Sequence, residues 1–248
     1  MGILNVTPDS FADGGKHNDF ESAVARGLEM IAEGVDIIDI GGESTRPGAD
    51  RVSEVEEIAR TIPVIKELAK HGVQISIDTM RASTANAAID AGASIINDVS
   101  GGLADPLMLQ TAAALKVPYI AMHWRGQSKD MNSKAIYGDV VSDVISELQE
   151  RVDAALDVGI SRDNLIIDPG LGFAKDADHN WAIIDAIDQF VDMGYPVLVG
   201  ASRKRFLGGD SPDEREQATI NLTKRLAPTG VWAVRVHSVK PHKEVLSA

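Results

Sequence analysis

Polar side chains able to do chemistry recur in this sequence directly after short apolar runs: Asn5, Gly41–Arg46, Asp78, Asn97, His123, Asp168, Ser202–Lys204 and Arg235–His237. Asp78, Asn97 and Asp168 offer carboxylates and an amide, which suit a flat nitrogen heterocycle bearing N–H and carbonyl groups. Taken singly, each is an ordinary strand-end turn or helix cap. Three that converge on one pocket are a site. Asp168 lies in IIDPGLGF, where Pro169 cannot extend a strand and the glycines let backbone approach a ligand closely. The sequence has 24 Lys and Arg against 37 Asp and Glu, a formal net charge of −13. Such a chain repels phosphate backbones, so nucleic acid is an unsuitable partner, and any anionic substrate needs a local basic pocket. SRKR, with Arg203, Lys204 and Arg205, and RVH, Arg235 to His237, supply one, and a helix after Lys204 would add its positive end. The bland alternative for SRKR is a solvated basic turn. Asn5, with Asp9 and Asp13 in the loop after it, suits Mg²⁺, which keeps its waters and takes few protein ligands. The 6 histidines show no paired spacing for a transition metal, and His123 reads as a pocket wall or a residue behind one. Phe11 and Phe173, in Gly-rich loops, are candidates to contact an aromatic ring; Trp124, Trp181 and Trp232 read as packing residues, and His242 as a surface residue.

These residues need a scaffold that brings them together. The apolar runs are Ile3–Val6, Val35–Ile40, Val73–Ile77, Ala93–Ile96, Tyr119–Met122, Leu165–Ile167, Val197–Val199 and Trp232–Val236. They are short and nearly continuous in hydrophobicity, as buried parallel strands are. Between them the pattern predicts helices over Phe20–Glu33, Ser53–Lys70, Arg81–Ala91, Pro106–Lys116, Val140–Val158, Ala177–Met193 and Asp213–Leu226. Ser53 and Glu56 form a capping-box pattern, and Gly34, Gly72, Gly92, Gly159 and Gly194 fall where C-cap glycines belong. Strands alternating with helices predict an α/β fold, a closed (β/α)₈ TIM barrel of one domain over residues 1–248. A doubly wound open sheet is the alternative, but its polar strand ends would cluster at one switch point. In a barrel they all meet at one mouth. No apolar run approaches the ~18 residues of a membrane span. Neither a signal-peptide pattern nor a cysteine is present, which fits a cytoplasmic protein.

Together the motifs resemble dihydropteroate synthase. MGILNVTPDSFADGG, GGESTRPGA, SIDTMR, IINDVSGG, DPGLGFAK, VGASRKRFLG and RVHSVK run in the family's order across nearly the whole chain, and NVTPDSF with GGESTRPG is highly specific. The resemblance implies a transferase of folate biosynthesis. It joins 6-hydroxymethyl-7,8-dihydropterin diphosphate to 4-aminobenzoate, giving 7,8-dihydropteroate and diphosphate. It implies that Asp78, Asn97, Asp168 and Lys204 hold the pterin. Asn5, with Mg²⁺, and Arg235 and His237 hold the diphosphate. Thr45, Arg46 and Pro47, with Phe11, Phe173 and Ser202, shape the aminobenzoate pocket. Asp168, Lys204, Arg235 and His237 are the residues closest to the chemistry, which proceeds by loss of diphosphate before attack by the arylamine. The loops Thr7–Lys16 and Ser44–Arg51 are expected to close over the site. The resemblance further implies a homodimer and competition by sulfonamides at the aminobenzoate site.

The chain departs from the family pattern in three places. The hairpin usual before the first strand is missing, the last helix, from about Pro241, is short, and Ser238 follows His237 where the family often has Asp. The ends read as trimmed, or the start as misassigned. Two other functions remain open on the sequence. A pterin-binding methyltransferase barrel shares the Asp and Asn residues but needs neither the TRPG loop nor the SRK and RVH anion set. A pterin-binding paralogue without activity would account for the missing ends and Ser238.

Overall fold

The computed structural model describes residues 1–7, 15–43, 51–127 and 131–247. Strands and helices alternate: β1 (Gly2–Asn5), α1 (Gly15–Ala32), β2 (Ile37–Gly41), α2 (Glu54–Leu68), β3 (Gln74–Asp78), α3 (Ala82–Ala91), β4 (Ile95–Asp98), α4 (Met108–Leu115), β5 (Tyr119–Met122) and α5 (Val140–Asp157). Then come β6 (Leu165–Asp168), α6 (Ala177–Asp185), α7 (Ile187–Val191), β7 (Leu198–Val199), α8 (Glu214–Leu226), β8 (Ala233–Val234) and α9 (Lys240–Leu246). β1 to β6 pair in sequence order, and β7 pairs with β8, all in parallel. Two isolated parallel bridges, Gly2 to Val236 and Ile167 to Val197, join these sheets at both edges. The strands therefore close into the barrel that the alternation predicts.

Register makes the mouth level. Asn5 stands opposite Gly41, Gly41 opposite Asp78, and Asp78 opposite Asn97; Met122 stands opposite Asp168. Successive strand residues point to opposite faces, so each strand serves two layers. Ile38, Ile40, Ile75, Ile77, Ile96 and Ile167 join the main core, which packs the barrel against its helices. Met1, Ile37, Ile95, Ile120, Ile166 and Leu198 form a separate apolar cluster inside the barrel. Asp39, Asn97 and Asp168 lie two residues further along their strands than Ile37, Ile95 and Ile166. They share that inward face but sit nearer the mouth. An apolar floor thus supports a polar rim.

Local chemistry sets the helix ends. Ser53 accepts the Glu56 N–H at 3.2 Å at the start of α2, and Asp139 accepts the Ser142 N–H at 2.8 Å at the start of α5. All five C-cap glycines named above have positive φ. The helix predicted over 177–193 is two helices. Ala186 takes φ −108° and ψ 24°, and the chain restarts with a Gln189 N–H bond to the Ala186 carbonyl. The apolar stripe Ile183, Ile184, Ile187, Phe190 runs unbroken through this bend, so periodicity could not reveal it.

Candidate active site

Three carboxylates and two cations meet inside the rim. Arg235, one residue past β8, sends Nε to Asp39 Oδ2 at 2.5 Å and Nη2 to Asp78 Oδ2 at 2.6 Å. Asn97 Nδ2 donates to the same Asp39 oxygen at 3.0 Å. Asp39 is 0% exposed, and its Oδ1 finds no hydrogen-bond partner among the described residues. A buried lone acceptor beside two further acids is suited to N–H donors of a ligand. Burial pulls the Arg235 guanidinium down, but Asp39 and Asp78 outweigh that pull and hold it above the ordinary arginine range. Burial raises Asp78 to about 7, against the opposing pull of Arg235 and with Asp39, Glu57 and Asp98 adding to the rise.

Asp39 is the residue that sequence reasoning missed. It lies within VDIIDI, a stretch that reads as one apolar strand. The available signal was energetic: a carboxylate in mid-strand, on the face of Ile37, must be paired to be buried. Asn97 is steadied by its neighbour. Asp98 points to the other face of β4 and accepts from Ser100 N–H, Ser100 Oγ, Gly102 N–H and Tyr119 Oη at 2.7–2.8 Å, which pins the turn after that strand.

Asp168 ends β6 and turns back on its own loop, accepting the Gly170 N–H at 2.7 Å. Burial raises its carboxyl, opposed by that N–H and by Lys204, Arg235 and Lys175. Gly170 has φ 68°, and a Cβ there would stand 2.4 Å from the His123 carbonyl oxygen, so this approach of two backbones requires glycine. Lys204 reaches over from the β7 loop, donates to the Leu171 carbonyl and places Nζ 4.6 Å from the Phe173 ring centroid. Burial lowers Lys204 to about 8, with Asp168 pulling the other way. Phe173 packs with Met80, Val99, Met122 and Trp124. His123 is 2% exposed and lies behind this loop, between Lys175 and Glu147.

On the β7–β8 side, Ser202 Oγ and His237 Nδ1 are 2.9 Å apart, and the His237 N–H donates to the same Oγ at 3.2 Å. The rest of the basic set departs from expectation. Arg203 turns away, binding Glu216 at 2.6 Å and Ser238 Oγ at 2.9 Å, and Arg205 is exposed. No full helix follows Lys204. The chain makes a three-residue 3₁₀ turn at Arg205–Leu207, and α8 starts only at Glu214, because Gly208 and Gly209 interrupt the helical run. Lys204 therefore acts without a helix dipole behind it. His242, expected at the surface, is buried and bonds Thr223 Oγ1 at 2.8 Å.

Asn5, half-buried, ends β1 in the row of Gly41 and Asp78, while Gly2 at the start of β1 bridges Val236, two residues past β8. Its amide oxygen is a single neutral donor, and no three His, Asp or Glu side chains among the described residues form a metal cluster. That fits an ion held mostly by water and substrate phosphate. Thr45, Arg46, Pro47, Phe11, Asp9 and Asp13 lie outside the described residues, as does most of each expected closing loop.

A family model described as pterin binding enzyme matches residues 1–237. The dihydropteroate synthase of Mycobacterium leprae (strain TN) is 48% identical over 256 residues, covering 99% of this chain and 90% of that protein. The Xanthomonas albilineans dihydropteroate synthase solved with 4-aminobenzoic acid superimposes with a TM-score of 0.94 at 42% identity, covering 100% of this chain and 90% of the other. Its complex with 7,8-dihydropteroate gives 0.90 at 39% identity, with 100% and 90% covered.

Proposed function

The chain belongs to the pterin binding enzymes, and from that premise and the rim geometry we infer that it is a dihydropteroate synthase. It condenses 6-hydroxymethyl-7,8-dihydropterin diphosphate with 4-aminobenzoate. The methylene carbon–oxygen bond breaks, and the electron pair leaves with diphosphate. The arylamine nitrogen then bonds the carbon and loses its proton. The observation that carries this reading is Arg235 bridging Asp39 and Asp78, with Asp168 and Lys204 beside it in one mouth. A methyltransferase of the same fold has no need of that cation among the acids.

Asp78, Asn97 and Asp168 are suited to accept and offer hydrogen bonds to the pterin, and the carboxylates favour positive charge growing on its methylene. Lys204 caps that ring from above Phe173. Arg235 uses Nε and Nη2 on the acids, and among the described residues no hydrogen bond occupies Nη1, which suits it to phosphate oxygen. His237, steadied by Ser202, is the second diphosphate contact, and Phe173 with Ser202 borders the aminobenzoate seat. Lys204→Ala and Asp168→Ala each lower dihydropteroate formation roughly a hundredfold or more while the fold is retained. Wild-type rates in both would refute the assignment. Sulfonamide competing with 4-aminobenzoate in the same assay identifies the second substrate's seat.

Mg²⁺ is proposed at Asn5, where it would neutralise charge on the departing diphosphate. Diphosphate then raises the Tm with Mg²⁺ and not in EDTA; equal protection in both removes the ion. A homodimer is proposed from the resemblance, and sedimentation velocity at micromolar concentration reads it directly, a monomer at all loadings being the contrary result. No helix among the described residues is long and apolar enough to cross a membrane. With no cysteine in the chain, that supports the proposal of a cytoplasmic enzyme, to be checked by cell fractionation.

A further inference from the structure

Behind the Asp168 turn lies an ammonium that the reaction does not use. Lys175 is 8% exposed. Its three N–H groups meet three acceptors: the Gly170 and Phe173 carbonyls, each at 3.1 Å, and His123 Nδ1 at 2.8 Å. An ammonium carries no lone pair, so Nδ1 must accept, and the imidazole proton sits on Nε2. Nε2 faces Glu147 Oε2 at 2.9 Å. Burial, with Lys175 adding to it, lowers His123 to about 4, so the ring stays neutral between the two charges. The His123 bond, helped by Arg125, holds Glu147 down at about 2. Burial lowers Lys175 itself to about 7, with Asp168 pulling the other way, so this arrangement belongs to the charged lysine, whose three N–H groups each have an acceptor.

The relay ends on the proposed pterin seat. Gly170 receives Lys175 at its carbonyl and gives its N–H to Asp168 Oδ1. The His123 N–H donates to the Asp168 carbonyl at 2.8 Å, so the same histidine grips the strand end from the other side. Phe173, tied by its carbonyl to Lys175, carries the ring under Lys204. Burying a lysine costs more than burying a methionine of like length. A tie needed for stability alone would be met more cheaply by an apolar side chain. The cost falls here at the turn that carries Asp168.

Building on the synthase reading, we infer that Lys175 is a positioning residue for the pterin seat. It sets the Asp168 carboxylate through Gly170 and the ring wall through Phe173, with His123 and Glu147 holding it in place. Lys175→Met keeps the volume and removes all three donors. The expected result is a folded protein whose KM for the pterin diphosphate rises roughly tenfold, with a smaller fall in kcat and a smaller rise in KM for 4-aminobenzoate, whose seat Phe173 borders. A purely structural tie lowers the Tm and leaves the pterin KM alone; that outcome overturns the inference.

A pair at His123 decides the matter if Lys175→Met does not fold. Asn offers Oδ1 close to where Nδ1 lies, and Leu offers no acceptor. His123→Leu reproduces the rise in pterin KM, and His123→Asn restores most of it. Equal pterin KM in the two variants overturns the inference. Fluorescence titration with 7,8-dihydropteroate, run on every variant, reads the seat without turnover. A wild type that binds dihydropteroate yet forms none from the substrates sinks the synthase reading, and the variants' relative affinities still test Lys175.

Discussion

Asp78 and Lys204 bring opposite titrations to one mouth. Burial lifts the first to about 7 and drops the second to about 8. Below the first value Asp78 is protonated and loses acceptor strength toward a pterin N–H; above the second, Lys204 loses its charge. We therefore expect kcat/KM to rise toward pH 7 and fall beyond pH 8. Arginine keeps its charge throughout this range, so Lys204→Arg should abolish the alkaline fall, whatever activity remains. An alkaline limb unchanged in that variant would assign it to a substrate group instead. Most of these residues were legible because each ends an apolar run; Asp78, Asn97, Asp168 and Arg235 announce themselves that way. Asp39 does not, since it is enclosed by isoleucines in the middle of its strand. Lys175 follows a glycine-rich loop, and only the fold brings its side chain back onto the carbonyls of that loop.

Elements were legible to the extent that one period governed them. The expected strand Tyr119–Met122 coincides with β5; β2, β3, β4 and β6 end one or two residues nearer the mouth than expected, while β1 and β8 end short of it. That shift is informative. Asp78 and Asp168 are paired members of their strands rather than the first residues of loops, so backbone hydrogen bonding fixes them before any ligand arrives. Where two influences compete, the pattern fails. The stripe through α6 and α7 is continuous although the backbone bends at Ala186. After β7, the basic cluster suggested a helix start, but left-handed Gly208 and Gly209 break the run, and only a 3₁₀ turn forms. Lys204 thus owes its place to the Leu171 carbonyl and the Phe173 ring.

At the scale of the molecule, the barrel is a six-stranded sheet and a two-stranded one, joined at each edge by an isolated bridge. The acids Asp39, Asp78 and Asp168 stand on the larger sheet. Ser202, Lys204, Arg235 and His237 follow the strands of the smaller. Local opening follows the thinnest bonding, so amides of Leu198 and Arg235 should exchange with solvent faster than those of Ile77 and Ile96. Equal protection in native-state hydrogen exchange would contradict this. The practical outcome concerns ageing and heat. A warmed sample parts first along the two staves that grip the phosphates, while most of the hoop still stands. Its far-ultraviolet spectrum would then look healthy after its turnover had gone.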